Sequence, residues 1–524
     1  MPPSASSVTE SGESSTDDHH QEPLSFLQPL GYSASQCGYC SEVKGQRSRK
    51  KSSRSYGCWA HTLSANSYKH LLDRGWRRSG AYLYKPDLAR TCCPQYTILL
   101  DPHAFRPSRS QRQVLQRFAA FVRSGEREGQ VGWGPSRSAS AGAGGAATMA
   151  GSDAVMHDAA PAVKKQDKGK GKAAQQGAAA DWGDLVHAGD WERSPADQPF
   201  KHRFEYIVEP ASFTDEKYAL FKRYQMEVHG EPASKVSAKG FRRFLCDTPL
   251  DIEPTHSPNH SYGSHHALYR LDGHLIAFAV LDLLPRAVSS VYFVWDPDYA
   301  AMSLGKISAL REAQLAREID RAGAWETGEG RYMMGFYIHT CAKMRYKADY
   351  QPSFLLDPEA NVYVPFSQCK PYLDTGARIT SFSGPVPPRA LEPLAAPTAS
   401  TSTSTSAPAP APTPAPAATA STGADASASG SGSSEDDEDD EDAEGDDDDD
   451  DDVAFPAPPP PGCLDPLELP KDLLLSSLVL ERRSLVPLLL SAAWHDRSAQ
   501  REVRELLAST GEGLAGRVSI FMGR

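Results

Sequence analysis

Apolar positions change period several times between residues 200 and 386, which marks a mixed α/β segment. Phe204, Tyr206 and Val208 alternate, the period of a half-buried strand. Thr214 or Asp215 then caps a helix whose Tyr218, Phe221, Tyr224, Gln225 and Val228 share one face, with Gly230 and Pro232 just past its end. Ser237 to Leu245 reads as a second short helix. Ala267–Leu271 and His274–Leu284 flank Asp272-Gly273, the pair favoured at the centre of a type I′ hairpin turn. Ser289–Trp295 is a further strand, stopped by Asp296-Pro297. Leu304 to about Ala322 is helical without a clean apolar stripe, and Tyr332–His339 is the last strand.

Around this block the composition divides the chain. Residues 1–23 are polar and expected to be disordered. Residues 24–125 carry the aromatics, cysteines and apolar spacing of a folded, cysteine-rich unit. Residues 126–199 turn Gly/Ala/Ser-rich, with a basic patch from Lys164 to Lys172, and read as a disordered insertion. Residues 200–386 form the α/β unit. Residues 387–462 run through Ala/Pro/Ser/Thr sequence, an acidic tract and four prolines, a solvated tether. Residues 463–524 are leucine-rich and read as one or two helices packing on the core.

The net charge of −12 comes from one place. Glu435 to Asp452 holds sixteen acidic residues, and without them the remainder carries +4. The foldable part therefore permits a nucleic-acid partner, and the acidic tract a basic one. No stretch reaches the ~18 consecutive apolar residues of a membrane helix, and the first twenty residues lack the apolar core of a secretory signal. A reducing, cytoplasmic setting is expected, with the nucleus as a second compartment because Arg47 to Arg54 also reads as a nuclear address.

In such a setting cysteines serve as thiols or metal ligands. Cys37 and Cys40 form a C-x-x-C, and Cys92 and Cys93 are adjacent. Four thiolates from two short elements can close a tetrahedral metal site or hold an iron–sulfur cluster. Consecutive side chains point apart unless the backbone turns sharply, and Pro94 makes such a turn plausible. The alternative is four buried thiols that merely pack. Cys58 is a nearby fifth thiol, expected outside the shell.

Two further segments suit RNA. Arg74-Gly75-Trp76-Arg77-Arg78, followed by Tyr82, Tyr84 and Lys85, mixes forked cations with aromatics. From Arg109 to Arg123 a helix carries Val114, Leu115, Phe118, Phe121 and Val122 on one arc and Arg109, Arg112, Arg117 and Arg123 on the other. The second face could equally be a solvated cationic surface.

The element order strand, two helices, hairpin, strand, helix, strand matches the GNAT acyltransferase superfold. The motifs are more specific. Cys37-Gly38-Tyr39-Cys40, Arg74 to Gly80, Thr91 to Tyr96, Ser212 to Tyr218, Phe241 to Cys246, Ser303 to Lys306, and Tyr337 to Lys347 together resemble the eukaryotic arginyl-tRNA–protein transferases. The likeness runs through both folded blocks. It implies transfer of arginine from Arg-tRNA to the N-terminal acidic residue of a protein, which marks that protein for ubiquitin-dependent degradation through the N-degron pathway. It also implies an iron–sulfur cluster, with zinc as the alternative, on Cys37, Cys40, Cys92 and Cys93. The long linkers, the acidic tract and Cys58 depart from the family.

The reaction is aminolysis of an ester, and an α-amine with a pKa near ~8 needs no covalent enzyme intermediate. In a GNAT-like core the groove between Ser289–Trp295 and Tyr332–His339 would admit the acyl donor. The loop Met302 to Lys306 leads into a helix N-terminus, so Gly305 and Lys306 are expected at the tRNA phosphates with Arg77, Arg78, Lys85, Arg112 and Arg117. One glycine there is too few for acetyl-CoA, which is not expected as a cofactor. Asp296 is the candidate to orient or deprotonate the amine, or else a turn former before Pro297. His339, Lys343, Arg345 and Lys347 are the candidates to read an acidic side chain. The competing reading is a non-catalytic RNA-binding protein with a cysteine-based redox or metal sensor.

Overall fold

The structure, a computed structural model, describes residues 23–40, 50–125, 181–325, 329–383 and 451–523. The expected disorder of residues 1–22, 126–180 and 387–450, and the basic residues 47–49, lie outside that set.

In chain order the first unit contributes β1 (Ser25–Ser35), β2 (Ser53–Thr62), α1 (Ala65–Leu72), β3 (Arg77–Ser79), β4 (Tyr82–Pro86), β5 (Tyr96–Leu100) and α2 (Arg109–Ser124). Then follow α3 (Trp182–Val186), β6 (Phe204–Pro210), α4 (Asp215–Tyr224), α5 (Ala238–Phe241), β7 (Glu253–Pro254), β8 (Ser261–Leu271), β9 (His274–Leu284) and β10 (Ala287–Trp295). Next come α6 (Leu304–Arg321), β11 (Arg331–Tyr337), α7 (Ala342–Arg345), β12 (Ser353–Leu356), β13 (Tyr363–Pro365) and α8 (Phe366–Leu373). The C-terminal stretch holds β14 (Asp451–Asp452), α9 (Lys471–Ser476), β15 (Leu478–Glu481), β16 (Ser484–Pro487), α10 (Ala492–His495), α11 (Arg497–Thr510) and β17 (Val518–Phe521). No helix among the described residues is long and apolar enough to cross a membrane.

The strands form two mixed sheets. One is eight-stranded, β16-β15-β17-β1-β2-β4-β3, with β14 on β1; the other is nine-stranded, β13-β12-β5-β11-β10-β9-β8-β6, with β7 on β8. The mixed α/β class read from the sequence is therefore what the chain adopts. The β8–β9 hairpin turns at Asp272-Gly273 with φ of 52° and 85°, as a type I′ turn requires. Thr214 caps α4 by accepting from the Lys217 N–H at 3.2 Å.

Alternation along β9 splits the core. Ala279 and Leu281 face α2, α3 and α6, whereas Phe278 and Val280 face α4 and α5. Farther along that second face, Leu284 and Met333 meet α1 of the first unit. The missing stripe on α6 has a physical cause. The helix is buried on nearly every side, Arg311, Glu312, Gln314 and Arg317 included. Arg311 pairs with Asp190, and Glu312 accepts from Ser308 and from Tyr332 Oη at 2.6 Å. A buried polar network replaces the usual amphipathic contrast.

Four expectations need correction. The tether does not extend to residue 462, because Phe455 packs on the core of the first sheet and the Pro458 carbonyl accepts from Arg90 at 2.7 Å. The insertion does not extend to residue 199, because residues 181–199 are ordered against α6, where His187 bridges Asp190 at 2.6 Å and Glu318 at 2.5 Å. The block 24–125 is not one self-contained unit, since β5 inserts between β11 and β12 and α2 packs into the core under α6. Nor is the C-terminal segment only helical. It adds β15, β16 and β17 to the first sheet, with β17 parallel to β1. The β15–β16 turn puts Arg482 and Arg483 at φ of 47° and 70°, a conformation usually signalled by Asn or Gly.

Candidate functional site

The four cysteines converge. The Sγ atoms of Cys37, Cys40, Cys92 and Cys93 all lie within 4.8 Å of one another. A tetrahedral ion with metal–sulfur bonds of about 2.3 Å needs thiolates about 3.8 Å apart, so the donor set fits a metal or cluster. Local hydrogen bonds hold it ready. Ser52 Oγ donates to Cys92 Sγ at 3.1 Å, Tyr39 N–H donates to Cys37 Sγ at 3.4 Å, and Cys40 and Cys92 sulfurs stand 3.5 Å apart. Hydrogen bonds from Cys37 and Cys93, joined by Ser52, push the Cys92 thiol down, while the same sulfur contacts push Cys93 up and burial with those contacts pushes Cys40 up. Cys58 is buried in the first core, outside this shell.

The sharp turn that lets adjacent cysteines share a site is tied by a residue that pattern reading passed over. Asp87 is fully buried. Its Oδ2 accepts from Tyr32 Oη at 2.7 Å and from Arg90 at 2.8 Å, and its Oδ1 accepts from the backbone N–H of Ala89 at 3.0 Å. Its carbonyl receives the Thr91 N–H at 2.8 Å, and the Cys92 N–H reaches the Ser52 carbonyl at 2.9 Å.

The cysteine site is docked on the far end of β11. Ile338 is packed against Cys37 and Cys93, with Cys341, Met344 and Tyr39 at the margin. The segment expected to read an acidic side chain is thus the same segment that supports the thiols. His339 accepts or donates at Nδ1 to Tyr337 Oη at 2.8 Å, and its Nε2 lies 3.2 Å from Asp374 Oδ1. Lys343 and Arg345 are exposed on α7.

Lys347 does not stand with them. It is buried, and its Nζ donates to the Phe336 carbonyl at 2.7 Å. Burial, aided by the Arg77 charge and opposed by Glu312 and Cys341, pushes its amine down to about 7. The Phe336 carbonyl lies where two parallel strands part. β10 pairs with β11 only over Ala287–Ser289 and Arg331–Met333, and Gly335, with φ of 80°, breaks the register beyond. Glu312, also buried, reaches this point from α6, and burial raises its carboxyl.

The expected phosphate ligands separate into two groups. Arg112 and Arg117 are exposed on α2, whose Ser108–Gln111 capping box fixes the helix start. Gly305 is exposed and Lys306 half-exposed at the start of α6, in the same layer. Arg77, Arg78 and Lys85 are instead interior, at 6%, 6% and 5% exposure. Arg78 forks onto Asp282 at 2.9 and 2.6 Å and reaches Ser264 Oγ at 2.8 Å. Arg77 lies 5.2 Å over the Phe336 ring and reaches the Gly335 carbonyl at 3.3 Å. Lys85 donates to the Gly462 carbonyl at 3.3 Å. These three bind the first unit to the second sheet and to the C-terminal stretch, so they cannot face a phosphate backbone as the sequence suggested. Asp282 had a visible signal, as the one charge inside the apolar run Leu275–Leu284.

Asp296 is likewise committed. Its Oδ1 accepts from the Asp298 N–H at 2.9 Å and from Arg223 at 2.8 Å. Arg223 also pairs with Asp298 at 2.8 Å and Glu227 at 2.8 Å. The partners of Asp296 come from α4 and its own turn, and none comes from residues 339–347.

The chain has close relatives. A family model described as Arginine-tRNA-protein transferase, N terminus, matches residues 35–113, and one described as Arginine-tRNA-protein transferase, C terminus, matches residues 216–357. Arginyl-tRNA–protein transferase 1 of Drosophila melanogaster is 31% identical over 413 residues, spanning 66% of this chain and 83% of that one. Its namesake in Arabidopsis thaliana is 30% identical over 492 residues, spanning 69% and 76%. The aspartate/glutamate leucyltransferase of Chromobacterium violaceum is 24% identical over 320 residues, spanning 60% and 87%. The matched segments contain the four-thiol site, the fork between β10 and β11 and the cationic α7, and with these relatives they place the chain in the arginyl-tRNA–protein transferase family, aminoacyltransferases that move arginine from tRNA to protein.

Proposed function

We propose that the acceptor is the N-terminal α-amine of proteins beginning with Asp, Glu or a cysteine oxidised to its sulfinic or sulfonic acid. Arginylation would then mark those proteins for ubiquitin-dependent degradation as N-degrons. The observation that carries this reading is the placement of His339, Lys343 and Arg345 just beyond the end of β11, with Lys343 and Arg345 exposed on α7. The name of the Chromobacterium relative, an aspartate/glutamate leucyltransferase, agrees with an acidic acceptor. A GNAT-like reading is supported by the antiparallel β8-β9-β10 series and by β10–β11, the one parallel pair of the nine-stranded sheet, which parts after Ser289 and Met333.

In this reading the arginyl ester carbonyl lies in the fork. The acceptor nitrogen attacks it, the new C–N bond forms, and the ester C–O bond to the tRNA ribose breaks. The acceptor attacks as its neutral amine, and Lys347, also neutral, has a lone pair to take the one proton that the nitrogen sheds as the C–N bond forms, while still donating to the Phe336 carbonyl. That proton is then available to the departing ribose oxygen. Glu312 is within electrostatic reach of Lys347 and raises its pKa, so it favours the protonated amine. An iron–sulfur cluster, or a zinc ion, on Cys37, Cys40, Cys92 and Cys93 would cross-link the loop after β1 to the turn before β5, behind the reading segment. Cys40→Ser should lose at least nine-tenths of the bound metal by elemental analysis and lower turnover several-fold, with Arg-tRNA affinity little changed. Full metal content in that variant would remove Cys40 from the ligand set.

The donor is expected across the α2–α6 layer, with Arg112, Arg117, Gly305 and Lys306 at the phosphates. Charge reversal of Arg112 and Arg117 should raise KM for Arg-tRNA at least tenfold at moderate salt and flatten its salt dependence, with acceptor KM unchanged. The acceptor assignment is tested with Arg345→Ala and His339→Ala on peptides that begin with Asp or Asn. Loss of the Asp preference, about ten- to a hundredfold, is expected. Full discrimination in both variants would move the reader elsewhere.

A further inference from the structure

A cavity of about 350 Å³ lies between α4, α5 and β10, with no part in the site above. Its walls come from two places where helices loosen into π turns, Gln225–His229 after α4 and Arg242–Cys246 after α5. Such wide turns occur disproportionately at functional sites. Phe221, Phe241 and Phe244 form the helix side of the cavity, and Tyr292 the strand side. The Tyr292 ring stands 5.1 Å edge-on from that of Phe244, and its hydroxyl accepts from Gln225 Nε2 at 3.3 Å. The walls thus offer flat aromatic surface that is already held in place.

The cavity adjoins the fork. Tyr292 belongs to the stretch of β10 beyond Ser289, the last residue paired with β11. A bulge between Ser290 and Tyr292 in the pairing with β9 sets it on the α4–α5 face. Tyr224, packed on that same face, is within electrostatic reach of both Tyr292 and Tyr346, the neighbour of Lys347. A group held in the fork can therefore extend onto the α4–α5 face.

Charge is divided around the cavity. At the α4 end, Glu227, Asp296 and Asp298 converge on Arg223, and Lys222 lies 5.9 Å over the Tyr218 ring. On the α5 side, the stretch from Glu231 to Asp247 holds Lys235, Lys239, Arg242 and Arg243 between those two carboxylates. His229, Glu231 and Lys235 are in the lining itself. Arg242 lies 4.5 Å over the Phe213 ring, and Arg243 is exposed beside Phe244. Rings that stack on any base, with cations along one rim for its phosphate, are what hold single-stranded nucleic acid. The volume is at the small end for ligand sites, room for one nucleotide rather than a strand. An acidic peptide would meet the cations and leave the rings unused.

We propose that this cavity takes an unpaired nucleotide at the 3′ end of the donor tRNA, with its base against Phe244 and Tyr292 and its phosphate toward Arg243. The inference rests on tRNA as the donor, which the family carries, and on the fork as the place of the ester. The helical stem stays on α2 and α6, and the acceptor reader on α7.

The test measures binding of uncharged tRNA to the full chain, with the unpaired 3′ end intact and with it removed, so transfer chemistry plays no part. Wild type should bind the intact tRNA about tenfold more tightly. Phe244→Leu and Arg243→Gln should each remove most of that difference, with affinity for the trimmed tRNA and acceptor-peptide KM unchanged. Arg243→Gln should also lower the salt slope for intact tRNA by about one. Tyr292→Leu, on a different element, reports the same ratio should Phe244→Leu melt early. An unchanged intact-to-trimmed ratio in these variants would overturn the proposal. So would equal binding of the two tRNAs by wild type, or a rise confined to acceptor KM, which would make the cavity a peptide site. Failure of the stem, base or acceptor readings is separable: charge reversal on α2 moves both tRNAs alike, and the other two readings are scored by transfer with this binding ratio intact.

Discussion

Asp282→Ala should lower the stability of the protein by about 3–5 kcal/mol, read as a shift in denaturant midpoint at constant slope. The side chain is wholly buried, and it takes both forks of the Arg78 guanidinium. Removing it leaves a cation in the interior with only Ser264 Oγ and the Gly80 carbonyl as partners. The loss belongs to the uncompensated charge more than to the pair. Arg78→Met combined with Asp282→Leu should therefore recover much of it. The same experiment decides what Arg78 is for. A phosphate ligand would show weaker tRNA binding with stability intact, whereas a tie between β3 and β9 shows the reverse. The packing around the pair leaves little room for relaxation, since a Cβ at Gly80 would run into the Arg243 carbonyl.

Lys347→Arg should lower kcat by about two to four orders of magnitude, the range for loss of a general base. The substitution keeps the positive charge and removes the only form that can accept a proton at neutral pH. A residue that merely read an acidic side chain would tolerate it far better. In wild type, burial pushes the Lys347 amine down to about 7. The neutral amine is the active form, so kcat should rise with pH through about 7 and level off above it. Stability runs in the same direction. The folded pKa lies below the unfolded value near 10.4, the unfolded chain binds more protons in between, and this group's contribution to stability grows as pH rises across that window. Glu312→Gln removes a charge that raises the lysine pKa, so it should move the limb of the rate profile to lower pH. A profile unmoved by both substitutions would assign the proton to another group.

Much of this was legible in the sequence, for reasons that can be named. The Asp272-Gly273 hairpin, the Thr214 cap and the α2 stripe are local features, written in a few residues. The cysteine site was legible because four thiols at that spacing have few uses. What escaped was set by distant contacts. Arg77 and Arg78 look like RNA ligands in any local reading, and only the arrival of β9 and β11 turns them inward. Lys347 stands two residues from Arg345 in sequence, yet the turn after α7 sends one amine into the fork and leaves the other cation outside. The strands of the C-terminal stretch were hidden because β17 borrows its partner, β1, from nearly five hundred residues away. Asp87 and Asp190 gave no pattern, since a buried carboxylate that ties a turn looks like any acidic residue of a loop.

The most direct test of the central claim is a single transfer assay. The purified chain is incubated with radiolabelled Arg-tRNA and, separately, with peptides that differ only in an N-terminal Asp or Asn. Label passing to the Asp peptide in at least a tenfold excess over the Asn peptide is the predicted result. Label reaching both peptides alike, or neither, would contradict an arginyl transfer directed by an N-terminal carboxylate.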